Sequence, residues 1–152
     1  MNITIISVGK LKEKYLKDAI AEYQKRLQKY TSLEIVELKD ESFDDIDKTL
    51  NKEAEKIKKH ISEKDYIITL EIEGKQLDSI EFSKKLENIQ LETSNITFII
   101  GGSYGLSTEI KEMSNYHLSI SKMTFPHQLF RVILLEQIYR AFKIKNNESY
   151  HK

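Results

Sequence analysis

The segment Ile96-Thr-Phe-Ile-Ile-Gly-Gly-Ser-Tyr-Gly-Leu106 determines the fold class of this chain. Its first five residues form a nearly continuous β-rich run, which is typical of a strand buried on both faces. Four more such runs lie outward from it, at residues 2–8, 33–38, 66–72 and, more weakly, 116–120. Because helix-like stretches alternate with these runs, the sequence predicts an α/β fold with a mostly parallel sheet and helices on both faces.

Four segments have helical patterns. They cover residues 11–27, 44–61, 79–89 and 126–144. The first is predicted to be an amphipathic helix of about five turns, since its apolar residues recur at helical spacing. Ser79 is the predicted N-cap of the third helix. For the last helix, Thr124 is a candidate N-cap and Pro126 suits the first turn.

Length and composition indicate one domain that spans residues 1–152. A chain of 152 residues is too short for two ordinary domains, and 39% hydrophobic with 32% charged residues is typical of a globular protein. Cysteine is absent, which excludes disulfide frameworks, thiolate zinc sites and cysteine nucleophiles. The N-terminus is a poor signal peptide, and no apolar run has the length of a membrane span. We therefore expect a soluble cytoplasmic protein without a metal and without a membrane partner.

The last predicted helix is apolar around much more of its circumference than one core-facing stripe requires. One face should pack on the sheet, but a domain of this size has little else to cover a second apolar face. A homodimer interface explains the pattern economically, and a fully enclosed helix is the alternative. The polar residues after Lys145 have the composition of a frayed tail.

The glycine-rich turn is the first candidate binding element. Glycine permits positive φ angles and close approach of the backbone to a ligand, although an ordinary strand-to-helix turn explains the same residues. It is not a Walker loop, because it has no Gly-Lys-Ser/Thr ending. Gly101, Gly102 and Gly105 follow the fourth strand and not the first. Their position and spacing exclude the dinucleotide fingerprint and argue against a Rossmann-type methyltransferase.

Two other turns should lie beside the glycine-rich one. The third strand runs into Leu70-Glu-Ile-Glu-Gly-Lys75, and the fifth passes through Ile120-Ser-Lys-Met-Thr-Phe-Pro126 into the last helix. If the strands are parallel, all three turns emerge at the carboxyl edge of the sheet, where open α/β folds bind ligands. Together they predict a pocket. For residues 123–126, a well-formed helix start is an equally good interpretation.

Six strings distributed over essentially the whole chain carry a more specific signal. They are Val8-Gly-Lys-Leu-Lys12, Leu70-Glu-Ile-Glu-Gly-Lys75, Ile100-Gly-Gly-Ser-Tyr-Gly-Leu106, Ser119-Ile-Ser-Lys-Met-Thr-Phe-Pro-His127, Arg131-Val-Ile-Leu-Leu-Glu-Gln-Ile-Tyr-Arg-Ala141 and Tyr150-His151. In their order and spacing, the strings resemble the RlmH-type ribosomal RNA methyltransferases of the SPOUT class.

The resemblance implies a SPOUT-type α/β domain whose C-terminal segment threads a trefoil knot, a departure from the rule that connections do not thread loops. It also implies a homodimer that binds S-adenosyl-L-methionine (SAM) in the knot. The implied reaction is methylation of N3 of a pseudouridine in 23S, large-subunit ribosomal RNA, on assembled ribosomes. Carried over by position, the SAM-binding residues are Leu70, Gly101, Gly102, Ile120, Ser121, Lys122, Met123, Thr124 and Phe125. Ser103 and Tyr104 replace the asparagine or proline that the family commonly has in the glycine turn.

Methyl transfer to N3 requires a proton acceptor, and histidine is the first suspect because it titrates near neutral pH. His127 and His151 are the candidates, with Glu136 behind them. A histidine at a helix start is more often structural, whereas the resemblance favours His151. Arg131 and Arg140 are expected to hold the RNA phosphate or base. An i,i+4 pair with Glu136 is an equally good interpretation of Arg140.

Charge limits how the protein can bind RNA. Lys plus Arg and Asp plus Glu both number 24, so a net charge of +0 gives little sequence-independent attraction to nucleic acid. Residues 121–152 carry six basic side chains against two acidic ones, whereas residues 40–47 are acidic. We therefore expect a folded ribosomal surface to be a better substrate than naked RNA. A ribosome-docking protein without chemistry and a SPOUT enzyme that acts on transfer RNA are the alternatives.

Overall fold

The computed structural model describes residues 1–152 and contains five strands and five helices. The strands are β1 (Asn2–Val8), β2 (Ser32–Leu38), β3 (Tyr66–Gln76), β4 (Asn95–Ile100) and β5 (Tyr116–Ser119). The helices are α1 (Lys14–Leu27), α2 (Ile46–Lys58), α3 (Ser79–Glu92), α4 (Thr108–Met113) and α5 (His127–Lys145).

The strands form one sheet in the order β2-β1-β4-β3-β5, and every strand is parallel to its neighbours. The sheet separates two apolar layers. α1, α3 and α5 cover one face, where Phe98 and Leu134 are fully buried. α2 and α4 cover the other face, where Ile99 and Ile110 are fully buried. Alternate residues of β4 therefore serve opposite layers. The predicted mostly parallel sheet with helices on both faces is confirmed.

Two predicted N-caps are wrong. α3 begins at Ser79, but its N-cap is Asp78, whose carboxylate accepts a hydrogen bond from Glu81 N at 2.7 Å. The Glu81 carboxylate accepts in return from Asp78 N at 2.8 Å, which completes a capping box. At the start of α5 the N-cap is Pro126, which provides no side-chain cap, so Thr124 does not have this role.

Two helices differ from expectation: one is shorter than predicted and one was not predicted. α1 has 14 residues instead of about five turns, because the chain after β1 forms a loop before the helix begins. α4 was not predicted, since six residues are too few to show helical periodicity. None of the helices combines the length and apolarity that crossing a bilayer would need.

β3 is longer than predicted because it continues past an irregularity in its pairing with β5. The register shifts between Leu70 and Lys75, and both residues pair with Leu118. Gly74 lies within this irregularity, where a Cβ would come within 2.8 Å of backbone atoms of β5. Glycine therefore permits the close approach of the two strands, which holds the part of β3 around Leu70 against β5.

Candidate functional site

The predicted turn at residues 70–75 is an irregular part of β3 itself, and it meets the turns that follow β4 and β5 at the carboxyl edge of the sheet. Together with the start of α5 they enclose a cleft of about 360 Å³. Of its 21 lining residues, 10 are hydrophobic, so the cleft combines apolar walls with polar groups. Small-molecule sites have this size and this mixture.

Eight of the nine residues expected to bind the cofactor line this cleft. They are Leu70, Gly101, Gly102, Ile120, Ser121, Met123, Thr124 and Phe125. Lys122 is exposed and does not line it. Residues that are up to 55 positions apart in the chain thus come together, with Lys122 left outside the cleft.

The glycine-rich turn is folded tightly on itself. Gly105 has a φ of 79°, and its N–H donates to Gly102 O at 3.1 Å. A Cβ at Gly101 would lie only 2.5 Å from the Gly105 carbonyl carbon, so a side chain fits there only if the turn opens. A Cβ at Gly102 would meet Val8 Cγ1 at 3.2 Å, a contact that a small side-chain shift relieves. The shape of the turn therefore depends most on Gly101.

A polar rim beside Leu70 contains residues that the sequence did not reveal. Glu71 lines the cleft, and its carboxylate accepts from Thr69 Oγ1 at 2.6 Å and contacts His117 Nδ1. Lys111 Nζ lies 3.9 Å from the other oxygen of Glu71. Glu71 stands in one of the six strings, but only the register between β3 and β5 brings His117 beside it.

A larger groove of about 670 Å³ adjoins this rim on the side of α4. Only one of its 11 lining residues, Tyr116, is hydrophobic, and the groove is open to solvent. A nucleoside cofactor needs an apolar slot for its base. The smaller cleft is therefore the better candidate in spite of its size.

Arg131 lies inside the protein and not on an RNA-facing surface. Its side chain is 4% exposed, and Nη1 donates to Glu37 Oε2 at 3.0 Å. Nη2 donates to Val8 O and Gly9 O at 3.1 and 2.9 Å. Burial lowers the pKa of Arg131, and the ion pair with Glu37 opposes that shift. The prediction that Arg131 contacts RNA directly is therefore wrong, because its guanidinium is buried and bonds Glu37 and the backbone at the end of β1.

The C-terminal tail is docked on α5 and is not frayed. Tyr150 Oη donates to Glu136 Oε2 at 2.6 Å, and the Tyr150 ring packs edge-on against Tyr139 with centroids 5.0 Å apart. The hydrogen bond to Glu136 raises the pKa of Tyr150 to about 12, so its phenol stays protonated near neutral pH. Tyr150 thereby fixes the position of His151 relative to α5.

Arg140 joins the tail to the same glutamate. Its Nε donates to Glu136 Oε1 at 2.9 Å, which is the i,i+4 pair that the sequence left open. Its Nη1 lies 3.1 Å from His151 Nδ1. Since a guanidinium only donates, Nδ1 accepts here, and Nε2 of neutral His151 carries the proton. Within one chain Arg140 and His151 do not line the cleft, and His151 lines a neighbouring hollow beyond the β5 turn.

His127 is the histidine that lies at the cleft itself. It begins α5, is exposed, and lines the cleft together with Phe125 and Phe130. Neither of its ring nitrogens has a hydrogen-bond partner in the protein, so both are available to a bound ligand.

A buried carboxylate lies behind the glycine turn. Glu53 on α2 is 5% exposed, and its Oε2 accepts from Glu41 N at 2.9 Å. Its Oε1 lies 3.7 Å from where a Cβ of Gly102 would be. Burial raises the pKa of Glu53, because the charged carboxylate is poorly solvated at this position.

We expect Glu53→Gln to raise the free energy of unfolding at pH 7, since the amide keeps an oxygen for Glu41 N without a buried charge. Because the pKa of Glu53 is raised in the folded state, its ionisation destabilises the fold at any pH above that folded pKa. Below the unfolded value of 4.5, the carboxyl group is protonated in both states and this destabilisation is absent. The difference between variant and wild type should therefore shrink as pH falls through the folded pKa. Urea unfolding of both proteins between pH 4.5 and pH 7 measures this difference in the free energy of unfolding. A difference that does not change with pH would contradict the raised pKa of Glu53.

Known proteins resemble this chain over its whole length. The family described as "Predicted SPOUT methyltransferase" matches residues 1–151. Proteins named ribosomal RNA large subunit methyltransferase H from Clostridium botulinum (strain Alaska E43) and Ruminiclostridium cellulolyticum are 58% and 52% identical, over 100% of both chains. A solved structure described as "a probable methylase family protein" from Haemophilus influenzae Rd KW20 has the same fold, with a TM-score of 0.57 at 13% identity over 99% of this chain and 70% of that one. The chain therefore belongs to the SPOUT methyltransferase family.

Proposed function

We propose that this protein is a SAM-dependent methyltransferase that methylates N3 of a pseudouridine in 23S, large-subunit ribosomal RNA, on assembled ribosomes in the cytoplasm. The observation that carries the proposal is the cleft between β3 and the turns after β4 and β5, because eight of the nine residues assigned to SAM by resemblance line it. The names of the full-length relatives, at 52% and 58% identity, support large-subunit ribosomal RNA as the substrate.

The residues of the cleft suit SAM. Apolar side chains for the adenine ring are Leu70, Leu106, Met123 and Phe125. The glycine turn adds backbone groups for the edge of the base, since no side chain covers it at Gly101 or Gly102. The carboxylate of Glu71 at the rim is opposite in charge to the sulfonium and amino groups of the cofactor. When bound, SAM supplies an electrophilic methyl group.

The chain's own tasks are to hold the acceptor nitrogen in line with the methyl group and to take up the N3 proton. The resemblance favours His151 as the proton acceptor, with Arg140 and Tyr150 holding it. Because Nδ1 of His151 faces Arg140, this histidine accepts a proton only after that contact opens. His127 at the cleft, with both ring nitrogens available, is the second candidate.

We further propose the trefoil knot and the homodimer that the resemblance implies. Family membership supports a knot formed by the C-terminal segment. Large apolar side chains that are exposed at or near the cleft support a dimer, since a second copy would remove them from water. They are Ile72, Tyr104, Met123 and Leu129, with Met123 76% exposed.

We expect a dimer at micromolar concentration, measured by light scattering. Leu129→Arg places a charge at the start of α5 within this surface, and it should yield monomers because an unpaired charge is costly to bury. Leu91→Arg is the matched control, since Leu91 is 83% exposed near the end of α3, away from the cleft, and this variant should remain dimeric. A monomeric wild type would remove the proposed interface.

Transfer of labelled methyl groups from SAM tests the function. We expect transfer to assembled large ribosomal subunits, much less to naked 23S RNA and none to transfer RNA, because a protein of net charge +0 gains little from sequence-independent attraction. Binding to ribosomes without transfer would favour a docking protein. Preferential transfer to transfer RNA would favour a SPOUT enzyme of different specificity.

A further inference from the structure

The loop that follows β1, residues 9–13, is fixed by buried groups although it does not line the cofactor cleft. Arg131, itself buried, donates to two carbonyls at the start of this loop, one of them that of Gly9 at 2.9 Å. Leu11 N donates at 2.8 Å to Glu37, which is also the ion-pair partner of Arg131. The guanidinium of Arg131 thus binds carbonyl groups at the start of the loop, and the carboxylate of Glu37 binds the N–H of Leu11 within it.

The same loop lies beside the cleft. Lys12 N donates to Gln128 Oε1 at 3.2 Å, which ties the loop to the first turn of α5. Gln128 follows His127, a residue that lines the cleft. Val8, directly before the loop, would lie 3.2 Å from a Cβ at Gly102. The loop therefore lies within reach of an RNA strand bound at the cleft.

The loop presents net positive charge to solvent, with Lys10 and Lys12 against one acidic residue, Glu13. Lys10 and Lys12 are exposed, and neither takes part in an ion pair, whereas Lys14 pairs with Asp18. Tyr15, which follows directly, is 68% exposed. Ammonium groups that neutralise phosphates, next to an aromatic ring on which a base can stack, are the features that bind single-stranded RNA.

The C-terminal region supplies less available charge than its composition suggests. Three of its six basic side chains, Arg131, Arg140 and Lys143, pair with glutamates, and Arg131 is buried. On the other side of the loop, residues 40–47 after β2 carry mainly acidic side chains. Unpaired positive charge next to the cleft therefore comes from the loop of residues 9–13 and from Lys122 in the turn after β5.

We propose that the loop of residues 9–13 docks the phosphate backbone of the RNA substrate, with Lys10 and Lys12 as the contacts and Arg131 as the residue that positions them. The inference rests on the proposed function, because its occupant is the RNA strand that leads to the methylated base. Phosphate is the ligand that two exposed, unpaired ammonium groups fit, whereas a protein partner would call for more apolar surface.

The test is kcat/KM for methyl transfer to large ribosomal subunits over a range of salt. Lys10→Ala/Lys12→Ala should lower kcat/KM about ten- to hundredfold at low salt, and it should reduce the slope of log kcat/KM against log salt by about one to two, because two phosphate contacts are lost. The Kd for SAM and the dimer mass should stay at wild-type values. Lys59→Ala/Lys64→Ala removes two exposed, unpaired lysines before β3, at the opposite edge of the sheet, and should behave as wild type.

The positioning role of Arg131 is tested without removing the loop lysines. Gln128→Ala deletes only the acceptor of Lys12 N, and it should lower kcat/KM several-fold and reduce the salt slope by less than about one, because a displaced Lys12 loses its phosphate contact only in part. Arg131→Lys keeps a positive charge but cannot bridge Glu37 and two carbonyls, so it should act in the same direction more strongly. A folded Arg131→Lys variant that matches wild type would remove the positioning role of Arg131, and Gln128→Ala tests the position of the loop whether or not Arg131→Lys folds.

Failure of the inference can be distinguished from failure of the proposed function. If wild type methylates large subunits and Lys10→Ala/Lys12→Ala does so with equal rate and salt slope, the loop does not dock RNA. Lower activity of Lys10→Ala/Lys12→Ala with an unchanged salt slope, or an altered dimer mass of this variant, would also overturn the inference, since it would indicate a structural or protein contact. A wild type that transfers no methyl group to large-subunit RNA would overturn the proposed function itself.

Discussion

Gly101→Ala is expected to weaken SAM binding at least about a hundredfold, or roughly 3 kcal/mol. The added Cβ would lie 2.5 Å from the Gly105 carbonyl carbon, and this contact is with backbone, so it can be relieved only by opening the turn that forms one wall of the cleft. Titration calorimetry measures the Kd for SAM. Circular dichroism and thermal unfolding show whether the variant keeps its fold.

Gly102→Ala is the matched control for that experiment. Its Cβ would meet the Val8 side chain at 3.2 Å, and a side chain can move by a few tenths of an ångström. Its SAM affinity should stay within about tenfold of wild type, which corresponds to 1.4 kcal/mol or less. A folded Gly101→Ala variant that binds SAM with wild-type affinity would show that this cleft is not the cofactor site.

Deletion of residues 150–152 should lower kcat about 100- to 10,000-fold, the range that a positioned general base contributes. The deletion removes His151 and also Tyr150, which anchors the tail through Glu136 and Tyr139. SAM affinity should change little, because none of the deleted residues lines the cleft in the same chain. Single-turnover methyl transfer with saturating SAM and large subunits measures the effect.

Two point variants separate the proton acceptor from its anchor. His151→Ala should account for most of the loss, whereas Tyr150→Phe keeps the ring on Tyr139 and removes only the hydrogen bond to Glu136. The phenylalanine variant should therefore lose about tenfold or less, the value of one hydrogen bond. Full activity of the truncated protein would return the tail to a structural role and leave His127 as the candidate base.

The parallel sheet was predictable because its strands are continuous apolar runs separated by helical segments, so local composition and long-range order agree. The parts that were missed depend on contacts and not on periodicity. α4 has only six residues, and the extension of β3 depends on the close approach of Gly74 to β5. Both features appear only when neighbouring strands are in place.

In the candidate site, too, some features could be predicted from the sequence pattern, whereas others depend on tertiary contacts. Parallel strand ends must meet at one edge, so the three segments could be placed together from sequence alone, although the first is part of β3 and not a turn. Arg131 could not be assigned, because a buried arginine and an RNA-binding arginine have the same sequence, and its partner Glu37 lies 94 residues away. Likewise His117 lies beside Glu71 only through the register of β3 and β5.

The central claim is tested most directly by mass mapping of ribosomal RNA modifications in cells with and without this gene. We expect one methylated pseudouridine of large-subunit RNA to lose its methyl group in the deletion strain, to regain it with the wild-type gene, and to remain unmethylated with Gly101→Ala. An unchanged map of large-subunit RNA in the deletion strain would contradict the proposed function.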